Sequence, residues 1–356
     1  MHLTHTEIPE EYTAHIGRKI TFVLGTLALL AFVLIASVGM GAVSISPAEV
    51  LASLFGRGSA GKYDIIIWQI RMPQALTAIA AGAGLAAAGA MMQSILRNPL
   101  GSPFTLGISH AAAFGAALSV IVLGPATSGD SDSAGLENLG LYAVTFSAFA
   151  FSLIATFIII AISRIRRASP EVMVLAGVAL GSLFTAGTMF LQYFADDVEL
   201  AAMVFWTFGD VSRASWGELG LISVVLLLVA AYGFANRWNY NAIDAGDETA
   251  RGLGVRVEKV RLAGMLAASF ITAIVVSFLG IIGFVGLVCP HMVRRLIGDD
   301  HRFLLPGTCV TGALLLLAAD TAARLILAPH VLPVSILTSF LGAPVFIYLI
   351  IRGYNR

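Results

Sequence analysis

The chain has 356 residues, 58% apolar and only 12% charged, with 21 Lys+Arg balanced by 21 Asp+Glu and a mean hydropathy of +0.89. A soluble domain carries about twice that share of charge, so these numbers exclude a water-soluble enzyme, a disordered chain, a coiled coil and a disulfide scaffold. With no excess of positive charge, nucleic acid is not expected as a partner. The fold class that remains is an all-α polytopic membrane protein.

A bilayer-spanning helix takes about 20 mostly apolar residues. Segment 1–19 is polar and reads as a cytoplasmic tail; the apolar run after it is too long for a signal peptide and reads as a retained first span. Runs bounded by polar or Pro/Gly breaks predict about ten spans: 20–41, 72–95, 104–124, 140–163, 171–194, 216–236, 260–280, 283–297, 304–327 and 335–351. Together 20–351 form a single permease domain, and 352–356 form a second cytoplasmic tail. Glycines recur inside the spans, where small residues let helix backbones approach closely in lipid. Gly177-Val-Ala-Leu-Gly181 is one GxxxG, read as internal packing rather than dimerisation. Cys289 and Cys309 both lie in apolar stretches and read as small buried hydrophobes.

Charge sets the orientation. With the N-terminus inside and ten spans, 16 of the 21 Lys and Arg fall in cytoplasmic segments, and only Arg57, Lys62, Arg71, Arg213 and Arg324 fall outside. That asymmetry in short loops predicts that both termini are cytoplasmic. The outer loop 125–139 is Ser/Gly/Asp-rich and is expected to be a flexible tip without chemistry. The cytoplasmic segment 237–259 is the longest polar stretch between spans. Within it, Gly246-Asp247-Glu248 through Gly254 reads as a turn, a short helix and a glycine stop. Such a segment is either an overlong connector or a handle for a cytosolic partner.

Motifs for chemistry are missing. Gly56-Arg-Gly-Ser-Ala-Gly61-Lys62 approaches a phosphate-binding loop, but Tyr63 stands where a magnesium-holding Ser or Thr is needed, and no strand precedes it. Ion-coupled carriers need ionisable groups near the bilayer centre. The first eight spans show none well inside. Asp320 and Arg324, at i, i+4 in the ninth, can pair on one helix face, more simply as a structural or docking pair than as a relay. A self-sufficient secondary carrier or channel is therefore the weaker alternative, and an intramembrane hydrolase lacks a nucleophile–base pair. The pattern fits one subunit of something larger.

A family resemblance is carried by Trp68-Gln-Ile-Arg71-Met-Pro73, Gly89-Ala-Met-Met-Gln93, Arg97-Asn98-Pro99-Leu100 and Gly246-Asp247-Glu248-Thr-Ala-Arg-Gly-Leu-Gly254. It continues in Gly283-Phe-Val-Gly286-Leu-Val-Cys-Pro290-His291, Leu332-Pro333-Val334 and Gly342-Ala-Pro344-Val345-Phe346. From about residue 65 onward the chain resembles the membrane permease subunit of the type II ABC importers for iron–siderophores, haem and cobalamin. The resemblance implies ten helices in the cytoplasmic (inner) membrane and a homodimer, or close pseudo-dimer, of permease subunits. It also implies two cytosolic ABC ATPase subunits and one extracytoplasmic substrate-binding protein. ATP and Mg would sit in the partner ATPase, with no cofactor or metal on this chain and no catalytic residue.

By the same resemblance Asp247, Glu248 and Arg251 contact the ATPase, and Arg71 and Arg324 meet acidic residues of the binding protein. A further family arginine falls at Gln74. Asn98, Pro99 and Leu100, with Ser169, Pro170 and Glu171, form the cytoplasmic gate, where Glu171 departs from the small hydroxyl residues usual there. Cargo-binding residues cannot be named from the sequence, and a ferric siderophore leads haem and corrinoid on family frequency alone.

Overall fold

A computed structural model describes residues 10–41, 43–56, 62–123, 134–165 and 169–353. Residues 57–61 of the stretch resembling a phosphate-binding loop, most of the outer loop, the first nine residues, and Arg166, Arg167 and Arg356 lie outside the described residues.

Helices α1 (Glu10–Gly39) and α2 (Pro47–Leu54) open the chain. Helix α3 (Lys62–Ile65) continues through a π-helical stretch, Ile66–Arg71, into α4 (Met72–Ile95). Then come α5 (Ile108–Leu123), α6 (Ala134–Ile165), α7 (Pro170–Phe194), α8 (Asp197–Thr207) and α9 (Trp216–Ala235). Two short helices, α10 (Arg237–Asp244) and α11 (Asp247–Gly252), precede α12 (Val257–Leu279), α13 (Val285–Ile297), α14 (His301–Ile326) and α15 (Val334–Gly353). Each predicted apolar run lies on one of these helices. Among the described residues, seven helices are long and apolar enough to cross a membrane, and α5 and the apolar part of α15 are shorter. The chain is a multi-pass membrane protein.

Two boundaries differ from expectation. Residues 134–139, assigned to the outer loop, already belong to α6. Within the polar segment 237–259, where the sequence indicated a short helix only after Gly246, residues Arg237–Asp244 form a further helix, α10, with Tyr240, Ala242 and Ile243 buried on one face of it.

Helix α4 is the axis of the fold. It is apolar all round rather than on one stripe, the pattern of a helix enclosed by others, and nearly every residue from Met72 to Ile95 is buried. Its Ala/Gly composition lets α9, α12, α13 and α14 close in on it. A Cβ on Gly82 would lie 2.3 Å from the Gly312 carbonyl oxygen of α14, and one on Gly89 would lie 1.7 Å from that of Gly286 on α13. Those contacts are backbone on backbone, so no side chain can give way. Gly177 of the GxxxG packs internally too, against Leu106. By contrast α7 turns Leu175, Val178, Leu183, Phe190 and Tyr193 outward, an exposed apolar face that suits lipid or a second apolar chain.

Candidate functional site

Among the described residues, buried arginine–aspartate pairs lie near the two ends of α4, and a cleft lined by neutral side chains lies apart from them. At the predicted cytoplasmic end, α10 and α11 pack against α12 through a small apolar cluster of Ala242, Ile243, Ala250 and Val257. Gly246 (φ +118) and Gly254 (φ +85) make the turns that bracket α11, a backbone conformation for which glycine carries no steric cost. The three residues expected to contact an ATPase divide by direction. Glu248 and Arg251 are exposed, with Leu253 beside them 71% exposed. Asp247 turns inward to Arg261 of α12, whose side chain is 1% exposed, at 2.9 Å.

A second fastening holds α10. Ser94 of α4, Asp244 of α10 and His301 of α14 bring Oγ, Oδ2 and Nε2 to within 2.8–3.1 Å of one another. The Asn241 amide donates to Asp300 and accepts from the His301 backbone N–H. Burial opposes ionisation of Asp300, but hydrogen bonds from the Arg302 side chain and backbone and from Asn241 outweigh it and hold its pKa down at about 2. This N-terminal cap of α14 is therefore charged throughout the physiological range.

The residues expected to form the gate follow directly from α4. Arg97 adopts a left-handed φ of 47° and ends the helix, and the Asn98 side-chain oxygen accepts from the Leu100 backbone N–H at 2.9 Å, closing a tight turn. Pro99 and Leu100 are exposed. Ser169 and Pro170 are half-buried at the start of α7, and the Ser169 hydroxyl donates to the exposed Glu171 carboxylate. Glu171 lies within electrostatic reach of both Arg261 and Asp247.

Immediately after the gate turn the chain enters the wall of a cleft of about 700 Å³. Phe104, Phe284 and Phe340 supply apolar faces there, and Ser102, Thr272 and Ser335 supply hydroxyls, while no ionisable side chain among the described residues lines it. Phe284 takes a left-handed conformation (φ 65), uncommon for a bulky residue and a place where local strain is held by its surroundings.

At the predicted outer end the two arginines expected as docking charges are turned inward. Arg71, 6% exposed, donates to the carbonyls of Val38 at 2.8 Å and Gly39 at 3.1 Å. Arg324 pairs with Asp320 at 3.1 Å, as the i, i+4 spacing predicts, and its other nitrogens reach the Ser37 hydroxyl at 2.7 Å and the Met40 carbonyl. Gln74, where the resemblance led one to expect a further arginine, donates to Asp320 at 2.9 Å. The reason is geometric: a helix C-terminus leaves carbonyls without partners, and the end of α1 lies beside both guanidinium groups.

Sequence reading did not find Arg261, Ser94, Asp244 or His301. Their partners lie 150–207 residues away for Ser94 and 166 away for the Arg261–Ile95 contact, so no local pattern shows them.

A helical multi-pass core, a neutral cleft and a polar short-helix module at one end define a membrane permease. The chain belongs to the FecCD transport family, whose model matches residues 29–352. It is 50% identical over 351 residues to a chain assigned as an ABC transporter permease protein in Methanocaldococcus jannaschii, covering 98% of this chain and 99% of that one. It is 37% identical to the hemin transport system permease of Yersinia pestis, over 92% of this chain and 94% of that one. Relatives named for iron(3+)-citrate, vitamin B12 and molybdate import match at 36%, 34% and 33% identity. A solved transporter assigned to the metal-chelate ABC type, in an inward-facing conformation, superposes with a TM-score of 0.78 at 30% identity, covering 93% of this chain and 98% of that one. The family is one of transport permease subunits that work with separate ATPase and binding-protein partners.

Proposed function

We propose that this chain is the membrane subunit of an ABC importer that carries a metal chelate across the cytoplasmic membrane, an iron–siderophore first, with haem and corrinoid as the other cargoes of that type. Ten helices cross the bilayer, both termini are cytoplasmic, and two copies form a homodimer with the pathway between them. The exposed apolar face of α7 supports that pairing. Cargo is delivered by the extracytoplasmic binding protein and released by alternating access. ATP and Mg act in two cytosolic ATPase subunits, and this chain supplies no catalytic group or cofactor.

The observation that carries the reading is the α10–α11 module. It presents Glu248, Arg251 and Leu253 outward while two sets of buried polar contacts fasten its inner side to the bundle. A connector has no need of an exposed charged face on helices fastened so firmly from within. Docking of the binding protein at Arg71 and Arg324 belongs to the same proposal, and it requires incoming carboxylates to compete with the α1 carbonyls for those guanidinium groups. The neutral cleft fits a bulky chelate held by many weak contacts rather than an ion held by a few strong ones.

The test is reconstitution in liposomes. Uptake of a ferric siderophore bound to the binding protein is expected only with the ATPase subunit and ATP present. Uptake by this chain alone, driven by an ion gradient, would contradict the importer reading.

A further inference from the structure

Arg261 stands near the start of α12 with its side chain 1% exposed, where an unpaired guanidinium would be strongly destabilising. Its fork is engaged from two directions. Nη2 donates to both carboxylate oxygens of Asp247 at 2.9 and 3.1 Å, and Nε donates to the Ile95 carbonyl at 2.7 Å. Asp247 is the first residue of α11, the short helix whose outer face bears Glu248 and Arg251. Ile95 is the last residue of α4, three before the gate turn at Asn98. One side chain therefore joins the proposed ATPase handle to the helix end from which the gate begins.

The neighbouring polar contacts converge on the same turn. Ser94, adjacent to Ile95, is bonded to Asp244 of α10. Both short helices are thus fastened to the last turn of α4 by directional hydrogen bonds. Higher up, α4 meets its neighbours backbone to backbone, at Gly82 with Gly312 and at Gly89 with Gly286, whereas its last turn is tied to the short helices through these side-chain contacts. The exposed Glu171 at the other gate segment also lies within electrostatic reach of Arg261.

We propose that Arg261 is the transmission residue of the permease, a positioning group that converts displacement of α11 into displacement of the α4 end and so of the gate turn at 98–100. The proposal rests on the reading of 237–259 as the ATPase handle and of 98–100 as gate. The planar fork matters: it holds a carboxylate and a carbonyl at once, in fixed relation, whereas a lysine offers one compact charge on a flexible stem.

The experiment uses the assembled complex with its ATPase subunit in nanodiscs. Leu100, 45% exposed, is replaced by Cys and labelled with a water-soluble maleimide, against the same complex without the introduced cysteine. In the Leu100→Cys background, a non-hydrolysable ATP analogue is expected to change the labelling rate about fivefold, and adding Arg261→Lys is expected to shrink that response below about twofold. Co-purification of the ATPase serves as the assembly control, since a brace without a transmission role would leave the nucleotide response unchanged.

In the unaltered complex, which needs no folding of a variant, amide exchange of residues 93–98 must change with nucleotide together with that of 246–256. A response that survives Arg261→Lys, or an exchange change confined to 246–256, overturns the transmission role alone. No nucleotide response at Leu100→Cys in the otherwise unaltered chain overturns the handle-and-gate reading, and the proposal with it.

Discussion

Two buried arginine clusters, one at each end of the bundle, use the same chemistry for different ends. At the outer end Arg71 and Arg324 satisfy the carbonyls that α1 leaves open, and their counter-charge, Asp320, is buried one turn away from Arg324 on the same helix. At the inner end Arg261 satisfies the open carbonyl of α4, but its counter-charge, Asp247, belongs to a short helix that faces out of the bundle. The outer cluster is closed on itself and ties one span to its neighbours. The inner cluster is open and ties a span to α11, the element proposed to meet the ATPase. The same guanidinium–carbonyl contact is a brace where its carboxylate is fixed, and a linkage where its carboxylate rides on a handle.

Substitutions can break or sharpen that contrast. The largest loss is expected for Arg261→Ala, which strands Asp247 and the Ile95 carbonyl; breaking a buried pair from one side costs about 3–5 kcal/mol, to be read as a lowered thermal midpoint in detergent. Arg324→Ala is expected to cost less, about 1.5–3 kcal/mol, because Gln74 still donates to Asp320. Adding Asp320→Asn should return part of that loss, a coupling a double-mutant cycle measures directly. If instead Asp320→Asn adds its own full cost, the outer cluster is not self-contained.

At the proposed docking surface, Arg71→Glu with Arg324→Glu is expected to weaken binding-protein association in a salt-sensitive way, measured as affinity across ionic strength. Docking unaffected by both reversals would assign the two arginines wholly to the brace. Glu248→Arg, on the exposed face of α11, is expected to leave stability within about 0.5 kcal/mol while uncoupling ATP hydrolysis from uptake. Unchanged uptake by that variant would remove Glu248 from the handle.

The apolar runs were readable because the bilayer demands about 20 consecutive apolar residues wherever a helix crosses it. The turn–helix–glycine signature of 246–254 was readable for a local reason, since Gly246 and Gly254 sit where positive φ is required. Helix α10 was not, because the sequence does not tell which face of Arg237–Asp244 meets the bundle. The inward turn of Arg71 and Arg324 was invisible for a related reason. An arginine at the end of a span looks the same whether it faces water or the carbonyls of another helix, and the open end of α1 that decides the matter is placed only by tertiary packing. Arg261 was hidden the same way: its partners come from α11 and α4, which only the tertiary fold brings to one side chain.

The proposed function requires this chain to be one part of an ATP-driven assembly, gripped through α10 and α11. The direct measurement is to purify the tagged chain from native membranes in mild detergent and determine what accompanies it, and in what ratio. A cytosolic ATPase at one-to-one stoichiometry, lost when Glu248 and Arg251 are both reversed in charge, is the predicted result. A chain that emerges alone and moves its cargo in liposomes without ATP would contradict it.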